Sequence, residues 1–281
     1  MTLTLARRRL NLALSVLALV LALLLAVSLE TDRRRSVSGL EPAEIREITV
    51  TRLGEPPYTL KRLPGGWYLS APGVAAVARH AQNDLVAAGA ALSKGEHRLS
   101  ELDEAAVGLS EPRAVLRLND TINLEFGDRA ALSGLRYVHV GEHIHLVDDR
   151  HYHSVNQALE GIVAGHLLPD GSEMVSLTIG PWRLYWSNGE WLLDGALADQ
   201  SAEALARGWS GAEASVVGKL NPKAPSGEPV RITLAVPERT LEFELIRSPQ
   251  SDGLFLARRD LGVAYHFPPE RAPTVPTPTS P

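Results

Sequence analysis

Five of the chain's nine histidines fall in one short stretch. They are His139, His143, His145, His151 and His153 in YVHVGEHIHLVDDRHYH, with Glu142, Asp148 and Asp149 among them. Imidazole is a common ligand for zinc and copper, and residues i and i+2 on a strand share a face. His139, His143, His145 and His153 are therefore the candidate metal ligands. Clustered imidazoles could also sense acid, since their charge changes near neutrality. The plainer reading is a polar, solvent-facing strand side, and the corresponding stretch Phe255 to Tyr265 carries none of these histidines. Trp182, Trp186, Trp191 and Trp209 raise a similar choice between a sugar-stacking platform and core. Trp67 and Trp191 recur where a helix should cover them, which favours core.

Other chemistry fails on residue type or spacing. There is no Gly-x-Ser-x-Gly elbow, no phosphate-cradling glycine loop and no His-Glu-x-x-His. Asp148 and Asp149 are adjacent, so on a strand they point apart and make a poor acid–base pair. Asn119-Asp120-Thr121 matches a glycosylation sequon, a motif short enough to occur by chance. With no cysteine, disulfides, thiolate metal sites, cysteine nucleophiles, iron–sulfur clusters and a lipid-bearing cysteine are excluded. No catalytic residue, enzyme activity or cofactor is expected.

The elements that would position these residues are written twice. TLKRLPGGWYL at 59–69 and RLYWSNGEWLL at 183–193 align at one offset, matching Leu60 with Leu184, Trp67 with Trp191 and Leu69 with Leu193. Each reads as a β-hairpin. Asn188-Gly189 is the strongest short-range hairpin signal and sets Trp186 across from Trp191. Ala-rich helices are expected over about 74–92 and 198–218, the second capped by Asp199 or Ser201. Further strands follow, Ala114 to Phe126 answering Arg231 to Phe243 through a shared Leu-Glu-Phe, and Tyr137 to Val147 answering Phe255 to Tyr265. Matching apolar faces in YVHVGEHIHLV favours a three-residue loop, Gly141 to His143, with His139 opposite His145. Ser154 would cap a helix running to about Leu168 between the copies.

The ends differ from the middle. Residues 10–29 hold no charged side chain, and 20 helical residues span roughly 30 Å, a bilayer's hydrocarbon thickness. Arg7 to Arg9, without acidic neighbours, favour a cytoplasmic N-terminus, although Arg33 to Arg35 would then have to be translocated, and the length of the run favours an uncleaved anchor over a signal peptide cut near Ala26 to Ser28. The whole chain has formal charge −5, and residues 36–281, with 22 basic and 31 acidic side chains, carry −9. That excess disfavours nucleic acid as partner. The closing PPERAPTVPTPTSP is too poor in apolar residues to fold and is expected to be disordered.

The order of segments resembles the bacterial DUF 4340 family, a domain of unknown function. The matching pieces are the strand Ile45 to Val50, the hairpin ending Gly66-Trp67-Tyr68-Leu69 and the Ala-rich helix. ELDEAAVGLSEP at 101–112, with Gly108-Leu109 and Pro112 before a strand, and the Tyr137–Val147 hairpin complete the set, and coverage runs from about 45 to 265. The resemblance implies an anchored envelope protein, encoded near ABC-transporter components of the gliding-motility type and accessory to such a complex. The family lends no catalytic residues, and many members are longer than this chain.

The sequence thus predicts an α+β protein: an N-terminal transmembrane helix followed by two tandem β-β-α-β-β-β-β repeats with antiparallel sheets. The divisions are 1–9 cytoplasmic, 10–29 transmembrane, 30–44 juxtamembrane, 45–150 first repeat, 151–172 connecting helix, 173–267 second repeat and 268–281 tail. It would be a single-pass protein of the bacterial inner membrane with its main domain periplasmic. The function expected is a non-catalytic accessory or scaffold subunit of an envelope or transport complex, with membrane or envelope proteins as partners. The alternative is a ligand-binding module, for metal through the His139–His153 cluster or for glycan through tryptophans.

Overall fold

A computed structural model describes residues 17–21, 36–194, 201–247 and 253–275. Strands dominate, and helix accounts for 16%. The α+β expectation is therefore corrected to a mostly β chain built on two antiparallel sheets. Among the described residues no helix is long and apolar enough to cross a membrane. The longest helix among the described residues, α1 (Arg79–Gly89), has 11 residues and spans about 16 Å, half a bilayer core. Of the expected span 10–29, only 17–21 is described, as helix, and the rest lies outside the described residues. The single-pass inner-membrane placement is accordingly not retained.

The first sheet has the strand order β4-β3-β2-β1-β6-β7-β8-β9-β5. These strands are β1 (Glu47–Arg52), β2 (Glu55–Leu63), β3 (Gly66–Ala71), β4 (Ala75–Ala76), β5 (Gly95–Arg98), β6 (Ala114–Leu118), β7 (Ile122–Arg129), β8 (Arg136–Val140) and β9 (His143–Val147). The chain walks outward through β2 and β3, crosses by α1 to the far edge at β5, then fills the gap by the meander β6 to β9. Alternation explains the sheet: in β1 Ile48 and Val50 are buried while Thr51 is exposed.

The second sheet repeats this order as β12-β11-β10-β14-β15-β16-β17-β13. Its strands are β10 (Glu173–Ile179), β11 (Trp182–Ser187), β12 (Glu190–Asp194), β13 (Val216–Lys219), β14 (Glu228–Val236), β15 (Arg239–Arg247), β16 (Leu254–Arg258) and β17 (Val263–Phe267), with α4 (Ala202–Ser210) crossing between β12 and β13. Each unit thus has three long strands before its helix and five after it, one more on each side than the expected unit. The Ala-rich stretches yield helices of only 11 and 9 residues. Other parts of these stretches are extended instead: Ala75–Ala76 forms β4 beside β3, and β-branched Val216 and Val217 open β13 beside β17.

Between the units, the expected helix from Ser154 to Leu168 is instead two short helices, α2 (Arg150–Val155) and α3 (Leu159–Ile162), followed by extended chain. One hydrophobic core runs through both units. It includes Leu60, Leu85 and Phe126 from the first, Ile162 and Leu167 from the connection, and Trp209, Phe243 and Tyr265 from the second. The tail expected to be disordered is partly ordered. Ala272 and Val275 pack on this core, and the Trp209 indole N–H donates to the Thr274 carbonyl at 2.9 Å. Residues 276–281 lie outside the described residues.

Candidate functional site

The histidines do not converge. The β8–β9 loop has two residues, not three, so Val140 pairs with His143, His139 with Ile144 and Val138 with His145. Gly141 takes φ 63°, at the position a type II′ loop reserves for glycine. The shift by one residue puts His143 and His145 on one face and His139 on the other. Both faces of this hairpin are partly buried: Val138 and Val147 enter the main core, while Ile144 joins a satellite cluster with Val107, Leu109 and Tyr137.

Each imidazole has its own partners. His139 meets the Glu125 carboxylate through Nδ1 and the Gly141 carbonyl through Nε2, both at 2.8 Å, which leaves neither nitrogen for a metal. His145 Nδ1 lies 3.1 Å from the Ser93 hydroxyl, His143 Nε2 3.4 Å from Glu96, and His153 Nε2 3.5 Å from Asp149. Burial pushes the His145 pKa down against the pull of Glu96, and His143 reinforces the fall. Among the described residues no group of three or more His, Cys, Asp or Glu is arranged to hold a metal ion.

The tryptophans divide. Trp182 and Trp209 are buried in the second unit's core. Trp186 and Trp191 pair across β11–β12 as expected, edge to face with ring centroids 5.6 Å apart, and Trp186 is 50% exposed. A glycan platform of four tryptophans is thus reduced to one accessible ring and its half-buried neighbour.

The arrangement that does bring polar groups together lies at the seam between units, where the sequence carries no motif. Residues 162–167 are stitched to both sides by main-chain bonds. Ala78 N–H donates to Ile162 and Ala164 N–H to Ala76 in the first unit. Leu167 N–H donates to Ala212 and Ala214 N–H to Gly165 in the second. Gly165 is required here, because a Cβ would collide with the Ala214 carbonyl. Over this stitch opens a cleft of about 470 Å³, whose polar lining includes Arg79, His80, Glu160, His166, Asp170 and Glu213. His166 Nε2 stands 3.7 Å from Glu213, both half exposed. Three carboxylates outweigh the guanidinium of Arg79, so the cleft suits a cationic or hydroxyl-rich group better than an anion. None of these residues was a candidate from sequence. They lie on four separate segments, and only the seam assembles them.

A second device closes the seam. Arg258 is 1% exposed, with its guanidinium held bidentately by Asp260 at 2.9 and 2.7 Å. Its remaining arm donates to the Val74 carbonyl of the first unit at 2.9 Å. Gly73 admits this contact, since a Cβ there would collide with Asp260.

No protein-family model matches the chain, and no curated protein and no solved structure is significantly similar to it.

Proposed function

We propose that the chain is a non-catalytic scaffold or accessory subunit of a multiprotein complex. The observation that carries this reading is the seam. Two sheets share one core, one stitched connection and one buried arginine contact, which makes a fixed platform rather than a hinged clamp. The resemblance to the DUF 4340 family supports a complex of the transport-associated kind.

A partner surface is offered at one end of the first sheet. Arg52 pairs with Ala114 and Ala114 with Phe126, so the β1–β2 turn and the β7–β8 loop lie at the same sheet end. Each presents an exposed leucine, Leu53 and Leu132. Affinity purification of the full chain should recover a stoichiometric companion that survives gel filtration. Replacing Leu53 and Leu132 by Asp should release it. A chain that runs alone at every step overturns the reading.

A second reading, a binding module for a small cationic ligand, is favoured by the seam cleft alone. Titration with a short diamine should then show binding that Glu213→Gln and Asp170→Asn weaken together. Absence of binding to the unsubstituted chain removes it.

A further inference from the structure

Asn188 and Gly189 form the β11–β12 turn, and the same two residues are chemically reactive. An asparagine side-chain carbon is open to attack by the main-chain nitrogen of the next residue, which closes a five-membered ring and makes asparagine thermolabile. A side chain on that next residue crowds the approach, and glycine has none. The asparagines of this chain differ in what they offer. Asn83 lies inside α1, where the following N–H belongs to the helix ladder, and Asn123 lies inside β7, followed by buried Leu124. The Asn119 amide is held three ways: its oxygen accepts from the Arg46 and Glu47 N–H groups at 2.8 and 3.2 Å, and its nitrogen donates to the Glu44 carbonyl at 2.9 Å. Asn156 is followed by Gln157, whose N–H donates to the Ser154 carbonyl. Asn221 is followed by Pro222, which has no N–H to lose.

Asn188 combines what these lack. Both turn residues are exposed, and among the described residues no heavy atom would come within 4 Å of a Cβ on Gly189. The ladder closes with Ser187 opposite Glu190, so the Gly189 N–H lies outside it. No hydrogen bond among the described residues holds the Asn188 amide. Positive φ at both positions keeps the turn closed, and attack requires it to open. Opening disturbs little, because β12 ends the described strand order and pairs there with β11 alone.

We propose that Asn188 is a site of spontaneous deamidation, and that its conversion to isoaspartate loosens the β11–β12 hairpin. The Gly189 main-chain nitrogen gives up its proton to solvent and bonds to Asn188 Cγ. The Cγ–Nδ2 bond breaks, and ammonia leaves with a proton taken from solvent. Water then opens the resulting imide at one of its two carbonyl carbons, giving aspartate or isoaspartate, and nothing is oxidised or reduced. Isoaspartate routes the main chain through the former side-chain methylene, which lengthens it by one atom. A two-residue loop of fixed register has no slack for that atom, so the edge-to-face contact of Trp186 with Trp191 is lost. The new carboxylate also stands beside exposed Glu190, a like charge. The inference rests on this turn and is independent of the scaffold reading.

Peptide mapping by mass spectrometry tests it on the full chain held at 37 °C, at pH 7 and at pH 8.5, and sampled over weeks. The peptide carrying Asn188 should gain one dalton ahead of every peptide carrying another described asparagine. The gain should be faster at the higher pH, because the attacking nitrogen must lose its proton, and it should split into aspartate and isoaspartate forms. The near-ultraviolet circular dichroism of the tryptophan pair should fall in proportion to isoaspartate. Asn188→Gly, which keeps a two-residue turn open to positive φ, should hold that signal through the same incubation. An Asn188 peptide unchanged at pH 8.5, or one that converts no sooner than the Asn156 peptide, overturns the site. An isoaspartate form that keeps the full tryptophan signal overturns the loosening.

Discussion

Arg258 is the residue whose environment says most about the molecule. A guanidinium removed from water needs its donors filled, and here Asp260 and the Val74 carbonyl fill them. Arg258→Met should lower stability by about 2 kcal/mol in denaturant titration, since a charge-assisted contact across the seam is lost. Gly73→Ala should cost a similar amount, about 1–3 kcal/mol, through collision alone. Among the described residues the Tyr58 and Tyr265 hydroxyls are buried without a hydrogen-bond partner, and burial pushes the Tyr265 phenol up to about 12. Tyr265→Phe should therefore be neutral or stabilising in the same titration. His151 is buried, and its pKa is pushed below 6.5 first by that burial and then by Arg150 and Lys94, with Asp148 and Asp84 opposing. Above pH 6.5 the imidazole is neutral in both states and its contribution is intact. As pH falls below that value the unfolded chain takes up a proton that the folded one resists, so stability declines. Thermal unfolding from pH 7.5 to 5 should show this decline, and His151→Gln should reduce it.

Elements were legible where one rule acted alone. Asn188 and Gly189 both take positive φ, so the hairpin register that pairs Trp186 with Trp191 follows from two residues. The β8–β9 hairpin departs from the expected register because it buries apolar residues on both faces. Val138 serves the main core and Ile144 a satellite, so alternation could not choose the register, and the histidine placement failed with it. Zinc titration should accordingly give no micromolar binding by His139 together with His143 and His145. The Ala-rich stretches read as long helices because alanine favours helix, yet a sheet edge needed their ends. The Pro-rich tail illustrates the converse: composition said disorder, while one indole N–H and a small apolar contact order residues 272–275. Ending the chain after Arg271 should expose Trp209, shifting its fluorescence to the red and lowering the unfolding midpoint. An unchanged spectrum would show that the strap does not cover it.

At the scale of the whole molecule, the twofold plan was visible in the sequence as a shared Trp, turn glycines and element order. What joins the copies was not visible. The seam is made by main-chain groups of Ala76, Ala78, Ile162, Ala164 and Gly165, whose side chains advertise nothing, and by Arg258, which is 184 residues from its acceptor. The apolar run at 10–29 predicts a membrane anchor, and among the described residues no helix is long and apolar enough to cross a membrane. Through this seam both sheets form one body. Hydrogen exchange followed by mass spectrometry through a denaturant series tests it directly, reporting β1–β9 and β10–β17 separately. Core amides of both sheets should lose protection together at one denaturant concentration, with a single transition. Loss of one sheet's protection while the other persists would contradict the claim and leave two independent units on a string.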